Sequence, residues 1–176
     1  MKVVQSNAIS LNGMLARENG DEDWLPSEGW DEFIEDVKKF DNFIMGRETY
    51  DRVMELYPKY NFNNVDARYK IIVTSRADYK APAGYITVDS PEAAMALLAR
   101  TNIEVGLLIG GGKLNSSFYA RGLVDEAWVT INPIILGKGR PFIGVEDIEI
   151  NLEFKEAVSL SKGRIQLRYA VLKSLE

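Results

Sequence analysis

Val105-Gly106-Leu107-Leu108-Ile109-Gly110-Gly111-Gly112-Lys113-Leu114 reads as an apolar strand, three glycines and the opening of a helix. A short apolar run that stops at glycine and passes straight into a helical pattern is the grammar of a parallel α/β sheet. The same grammar recurs upstream. Trp30, Phe33, Ile34, Val37 and Phe40 repeat at helical spacing, Phe43-Ile44-Met45 forms a buried strand stopped by Gly46, and a short helix follows over 48–56. A loop with Pro58 and several Asn leads to a strand over 70–74. The first strand spans 3–9, and another at 85–88 precedes Ser90-Pro91-Glu92, which combines a cap, a first-turn proline and an early acid to open a helix to about residue 100. The glycine-rich stretch itself continues into a helix over 114–121 that Gly122 closes.

After Gly122 the helices stop. Strands are expected at 127–131, 148–154 and 165–171, the last with strict alternation, and Ser161-Lys162-Gly163 supplies the turn before it. A parallel α/β body with an antiparallel end makes one three-layer domain, and no linker or repeat divides its 176 residues.

The composition excludes several chemistries. With no Cys and no His, thiolate zinc sites, disulfides, Cys nucleophiles and Ser-His-Asp triads cannot be built, so no metal is expected and any proton must move through carboxylates, Tyr, Lys or water. Net charge is −5, and the first 50 residues carry 5 basic against 11 acidic side chains, so the basic stripe of a nucleic-acid binder is missing. No apolar run approaches the ~18 residues of a membrane span and the N-terminus lacks a signal-peptide pattern, which makes the cytoplasm the expected location.

Three junctions offer phosphate ligands. Gly110-Gly111-Gly112 allows a bulky anion to approach backbone N–H groups at a helix N-terminus. Neither a P-loop nor a G-x-G-x-x-G fingerprint fits, because Leu107, Leu114 and Asn115 stand where those motifs need Gly, Ser or Thr. Gly46-Arg47-Glu48-Thr49 places a guanidinium and a hydroxyl at a helix start, and Thr74-Ser75-Arg76 ends another strand with the same pair of groups. Ligands of open α/β sheets bind at the carboxyl ends of strands, so three such ends are more specific than one.

Phe43 to Tyr50, Ile71 to Arg76 and Ile109 to Lys113 together resemble the three NADPH-binding segments of dihydrofolate reductases, in order and spacing. Leu123-Val124-Asp125-Glu126 through Pro133 to Pro141, and Ile9-Ser10-Leu11-Asn12-Gly13, are similar to the branch that includes the reductase domain of riboflavin biosynthesis, which usually has Asp where this chain has Asn12. The resemblance implies a three-layer dihydrofolate-reductase-like fold whose central sheet is mostly parallel with an antiparallel C-terminal end. It further implies NADPH-dependent hydride transfer to a pterin or to a phosphoribosylaminopyrimidine. The alternative is a nucleotide-binding protein without turnover on the same fold. Carried over residue by residue, the cofactor positions are Ala8 and Leu15 beside the nicotinamide, Gly46, Arg47 and Thr49, Ser75 and Arg76 at the adenosine 2′-phosphate, and Ile109, Gly110, Gly111, Gly112, Lys113 and Leu114 at the diphosphate.

For catalysis the resemblance implies a carboxylate at the start of the first long helix. Glu28 sits in the family's Leu-Pro-x-acid wording, whereas Asp31 stands closer to the expected distance before Gly46 and is preferred. The alternative for both is an exposed capping acid, the commoner role of an acid at a helix start. Thr130 matches the threonine that bonds substrate beside that carboxylate. Asn7, Asn12, Trp24, Tyr50 and Lys138 complete the substrate candidates, the two aromatics as stacking surfaces or as core, and Lys138 as a phosphate contact or a solvated side chain. A homodimer is expected, with the apolar segment Trp128 to Leu136 as its surface.

Overall fold

The computed structural model describes residues 1–57, 59–144 and 147–173, so the expectation for Pro58 lies outside the described residues. The chain runs β1 (Lys2–Ser10), β2 (Met14–Arg17), α1 (Glu28–Phe40), β3 (Asn42–Gly46), α2 (Arg47–Leu56), β4 (Tyr69–Val73), β5 (Tyr85–Val88), α3 (Pro91–Leu98), β6 (Val105–Leu108), α4 (Gly112–Ala120), β7 (Glu126–Asn132), β8 (Gly139–Pro141), β9 (Leu152–Ser159) and β10 (Ile165–Val171). Eight strands form one sheet in the order β5-β4-β3-β6-β1-β7-β10-β9. The first six run parallel, and β10 pairs antiparallel with both β7 and β9. The expected mixed sheet with an antiparallel end is therefore present.

Alternation along the central strands divides the core. Ile44, Ile71 and Leu108 point to one face, where Leu98, Phe118 and Val124 cover them. Phe43, Met45, Ile72 and Leu107 point to the other, beneath Val37 of α1, Val53 of α2 and Phe62. Strands buried on both faces need helices on both faces, which is why the apolar runs are continuous and short. The α1 stripe read from periodicity lands here, with Phe33 5.7 Å from Phe43 and 5.6 Å from Phe62 between ring centroids. Ser90 caps α3 by accepting from Ala93 N–H at 3.3 Å, with Pro91 at the first helical position.

Two expectations fail. The strand expected at 148–154 begins only at Leu152 and runs on to Ser159. The tight turn at Ser161–Gly163 forces the residues immediately before it into register with β10, while Ile148 and Ile150 pack on the core without joining the sheet. The dimer surface expected over Trp128 to Leu136 also fails in its β7 part, because β7 is an interior strand between β1 and β10 and its Trp128 is buried beneath Arg168, 4.2 Å from the ring, whereas Ile135 beyond the strand is exposed. The ribbon of β2 and β8 was not anticipated from the sequence. Among the described residues no helix is long and apolar enough to cross a membrane.

Candidate functional site

Six parallel strands send their carboxyl ends to one side of the sheet, and a cleft of about 1140 Å³ opens there. One half is built by the three junctions. Gly46, Arg47 and Thr49 line it, as do Ser75 and Arg76, and Ile109, Gly111, Gly112, Lys113 and Leu114. Gly46 N–H donates to Gly110 carbonyl at 2.8 Å, which ties the starts of α2 and α4 together. Gly110 supports the turn with φ +97°. Neither α2 nor α4 has a side-chain N-cap, in contrast to α3. Their first-turn amides thus lack the side-chain acceptor that usually satisfies one of them.

The glycines have separate reasons. A Cβ on Gly111 would lie 3.0 Å from Thr49 Oγ1, so the missing side chain keeps the gap between the two helix starts open. A Cβ on Gly112 would lie 2.2 Å from Pro141 carbonyl, so packing alone demands glycine there. Arg47 is held by Asp51 at 2.7 Å and Glu48 at 3.5 Å, and Tyr79 hydroxyl donates to the same Asp51. Arg76 and Lys113 are loosely paired at the rim, with Asp78 and Glu48.

The other half is acidic and comes from α1. Gly29, Glu32, Phe33 and Asp36 recur at helical spacing on the cleft-facing side, across from Ser6, Asn7 and Ala8 of β1, Thr130 of β7 and Gln166 of β10. Asp36 accepts from Ser6 Oγ at 3.2 Å, and burial holds its carboxyl above the usual range against the opposing influence of that bond, Arg168 and Lys39. Glu32 is taken by Arg164, whose guanidinium is only 1% exposed and forks onto the carboxylate with two bonds of 2.8 Å. Gln166 donates to Thr130 Oγ1 at 3.4 Å and accepts from Arg168 at 2.8 Å. An acid, a hydroxyl and an amide thus line one cleft.

Not every expected residue arrives. Asp31 is exposed on the far side of α1, and Glu28 turns outward to Lys162 at 2.9 Å, which holds its pKa low. The two acids of α1 that enter the cleft, Glu32 and Asp36, flank the apolar stripe instead of starting the helix. That i, i+4 pair beside Phe33 was the available signal. Asn12 does not line the cleft but clips the end of β1 to Leu136 through bonds in both directions, with Ser10 Oγ as a further donor. Tyr50 is core, its hydroxyl bonded to Asn63. Trp24 and Lys138 do not line the cleft either, whereas Arg140, two residues on, does. Asn7 lines the floor and is itself fixed by Asn115 and the Ile109 carbonyl. Ala8, Leu15 and Thr130 line the cleft.

The chain is 31% identical to the uncharacterized Bacillus subtilis protein YwjB over 174 residues, covering 96% of this chain and 97% of that one. A structure from Shewanella sp. PV-4 named for riboflavin biosynthesis superposes with a TM-score of 0.82 at 22% identity, covering 98% of this chain and 100% of that one. Dihydrofolate reductase from Enterococcus faecalis, complexed with NADP(H), superposes with a TM-score of 0.75 at 20% identity, covering 98% and 97%. The model of the RibD C-terminal domain matches residues 1–165. With its dihydrofolate-reductase-like sheet, the chain belongs to the RibD C-terminal domain family.

Proposed function

We propose that the protein is an NADPH-dependent reductase that delivers hydride to a C=N bond, or to an opened sugar carbon, of a flat pterin- or pyrimidine-type compound. The observation that carries this reading is the pair of uncapped helix starts at Gly46 and Gly111, opposite an acid, hydroxyl and amide in the same cleft. The fit to a dinucleotide rests on the gap that a Cβ at Gly111 would fill and on two guanidiniums at strand ends. Gly46, Thr49, Gly111 and Lys113 would hold its diphosphate, Arg47, Ser75 and Arg76 would hold a 2′-phosphate, and Ala8 and Leu15 would flank the nicotinamide. Bound there, the cofactor supplies a hydride.

The chain's own residues supply the rest. Asp36 accepts N–H groups of the ring, or in its protonated form gives a hydrogen bond, where charge builds on nitrogen as carbon is reduced. Thr130 Oγ1 orients the same edge, and Gln166 fixes Thr130. Glu32 stays paired to Arg164, which reserves the proton-holding role for Asp36.

Arg76→Ala and Arg47→Ala are expected to weaken NADPH binding by about 1–3 kcal/mol while leaving NADH nearly unchanged, because a charge-assisted contact to the extra phosphate is lost. Fluorescence titration with both cofactors checks this; equal losses contradict the assignment.

A symmetric dimer is part of the proposal, its surface moved to β9. This strand is an edge of the sheet with Leu152 and Phe154 exposed. A two-fold axis at Phe154 sets Glu153 against the partner's Lys155, so a second copy suits it in apolar area and charge. Sedimentation is expected to show a species near twice 19.8 kDa; the 19.8 kDa species alone at micromolar concentration contradicts it.

A further inference from the structure

The cleft has a third region that neither half uses. After β2 the chain reverses at Gly20, whose φ of +87° is accessible to glycine at little cost. The reversal is tight against two arginines. A Cβ there would lie 3.1 Å from the Arg140 guanidinium carbon and 3.1 Å from Arg52 Cγ. Both side chains line the cleft, as do Gly20, Glu22 and Tyr57. Arg52 is paired with Glu55 at 2.9 Å, whereas Arg140 donates only to the Glu18 carbonyl, at 3.3 Å, and meets no carboxylate partner among the described residues.

We infer that this end of the cleft is an anion subsite, in which Arg140, supported by Arg52, holds a carboxylate or phosphate on the tail of the substrate and Glu22 competes for the same guanidinium. It rests on the reductase reading only in calling that anion part of the substrate.

Glu22 lines the same end of the cleft as Arg140, and no ion pair within 4.0 Å joins the two. The Glu22 N–H donates to Tyr57 hydroxyl at 2.7 Å, and that hydroxyl donates in turn to Asp21, so the loop is clasped to the end of α2. Its carboxyl has no hydrogen-bond partner among the described residues. The charged groups around it are Asp21, Asp23 with its partner Arg17, Arg52 with Glu55, and Arg140. Burial, and then Asp21, push the Glu22 carboxyl up to about 7, with Arg140 acting the other way. Below that value Glu22 is neutral and Arg140 is open to an external anion. Above it the carboxylate offers Arg140 an internal partner. By linkage, a bound anion raises Glu22 further, and tail affinity falls as pH rises.

The test is a titration of the ¹⁵N-labelled protein with sulfate and, separately, benzoate, neither of which changes charge between about pH 6 and pH 8. Chemical shifts of the Gly20 and Glu22 amides and Arg140 Nε–H report this site independently of the dinucleotide half. At least one anion is expected to move these signals, binding about ten-fold more tightly at pH 6 than at pH 8. Stronger sulfate binding assigns a phosphate tail, and stronger benzoate binding a carboxylate. Glu22→Gln should abolish the pH dependence while keeping the pH 6 affinity, and Arg140→Gln should weaken binding at least about ten-fold. Overturning results are silence of these signals with both anions, unchanged affinity in folded Arg140→Gln, or a pH dependence that survives in Glu22→Gln. Absence of turnover with NADPH would contradict the reductase reading and leave these titrations standing.

Discussion

Asp36→Asn is expected to lower turnover by about 10²- to 10⁴-fold, the range for loss of a positioned acid, while NADPH affinity stays within about two-fold. Asp31→Asn and Glu28→Gln are expected to do little, since one is exposed and the other is committed to Lys162 outside the cleft. The pH profile follows from the environment of Asp36. Burial raises its pKa, so the proton is retained above the ordinary carboxylate range and activity falls as pH passes the raised value. Stability has the same sign. The contribution of this carboxyl is complete below its unfolded pKa and is lost as pH rises through the folded one, a slope that Asn removes. Single-turnover rates measured across pH for the three variants check the assignment; full activity in Asp36→Asn contradicts it.

Arg164→Met is expected to cost about 3–5 kcal/mol of stability, the largest structural effect foreseen, because the buried fork to Glu32 would leave a carboxylate without its partner. For a domain of this size that corresponds to a fall in Tm of roughly 10 °C. Arg164 also holds the turn before β10 through Ser161 carbonyl at 3.1 Å and Ser161 Oγ at 3.2 Å, so the loss spreads to the hairpin. Calorimetry of Arg164→Met and of the double variant with Glu32→Gln separates the two causes. Recovery of part of the loss in the double variant is expected, since the stranded charge is then gone. A single variant as stable as the native protein would contradict this description of the pair.

What could be read from the sequence follows from how local its causes are. The strand-glycine-helix junctions at Gly46 and Gly110–Gly112 were legible because both the apolar run and the break are contiguous, and the structure brings Gly46, Gly111 and Gly112 to one cleft, with Gly110 behind them in the turn. The cap at Ser90 was legible for the same reason. The acids of α1 were harder. Glu32 and Asp36 differ from Asp31 only in the helix face they occupy, and which side of the apolar stripe meets the cleft is set by β1, β7 and β10. Arg164 gives no sign of burial in its neighbours, because its partner is 132 residues away. Arg140 and Gly20 meet only because β2 and β8 pair, two strands too short to announce themselves.

As a reductase, the protein would hold NADPH along Gly46 and Gly111 and present a heterocycle to it over Asp36 in the same cleft. The most direct measurement is transfer of deuterium from NADPH labelled at the reactive nicotinamide carbon to a panel of pterins and aminopyrimidines, with mass spectrometry of the products. One product heavier by a single deuterium is expected, with stoichiometric loss of NADPH absorbance, abolished in Asp36→Asn and weakened in Arg76→Ala at limiting cofactor. NADPH that binds with the expected selectivity but transfers no deuterium to any member of the panel would contradict it and favour a nucleotide-binding protein without turnover.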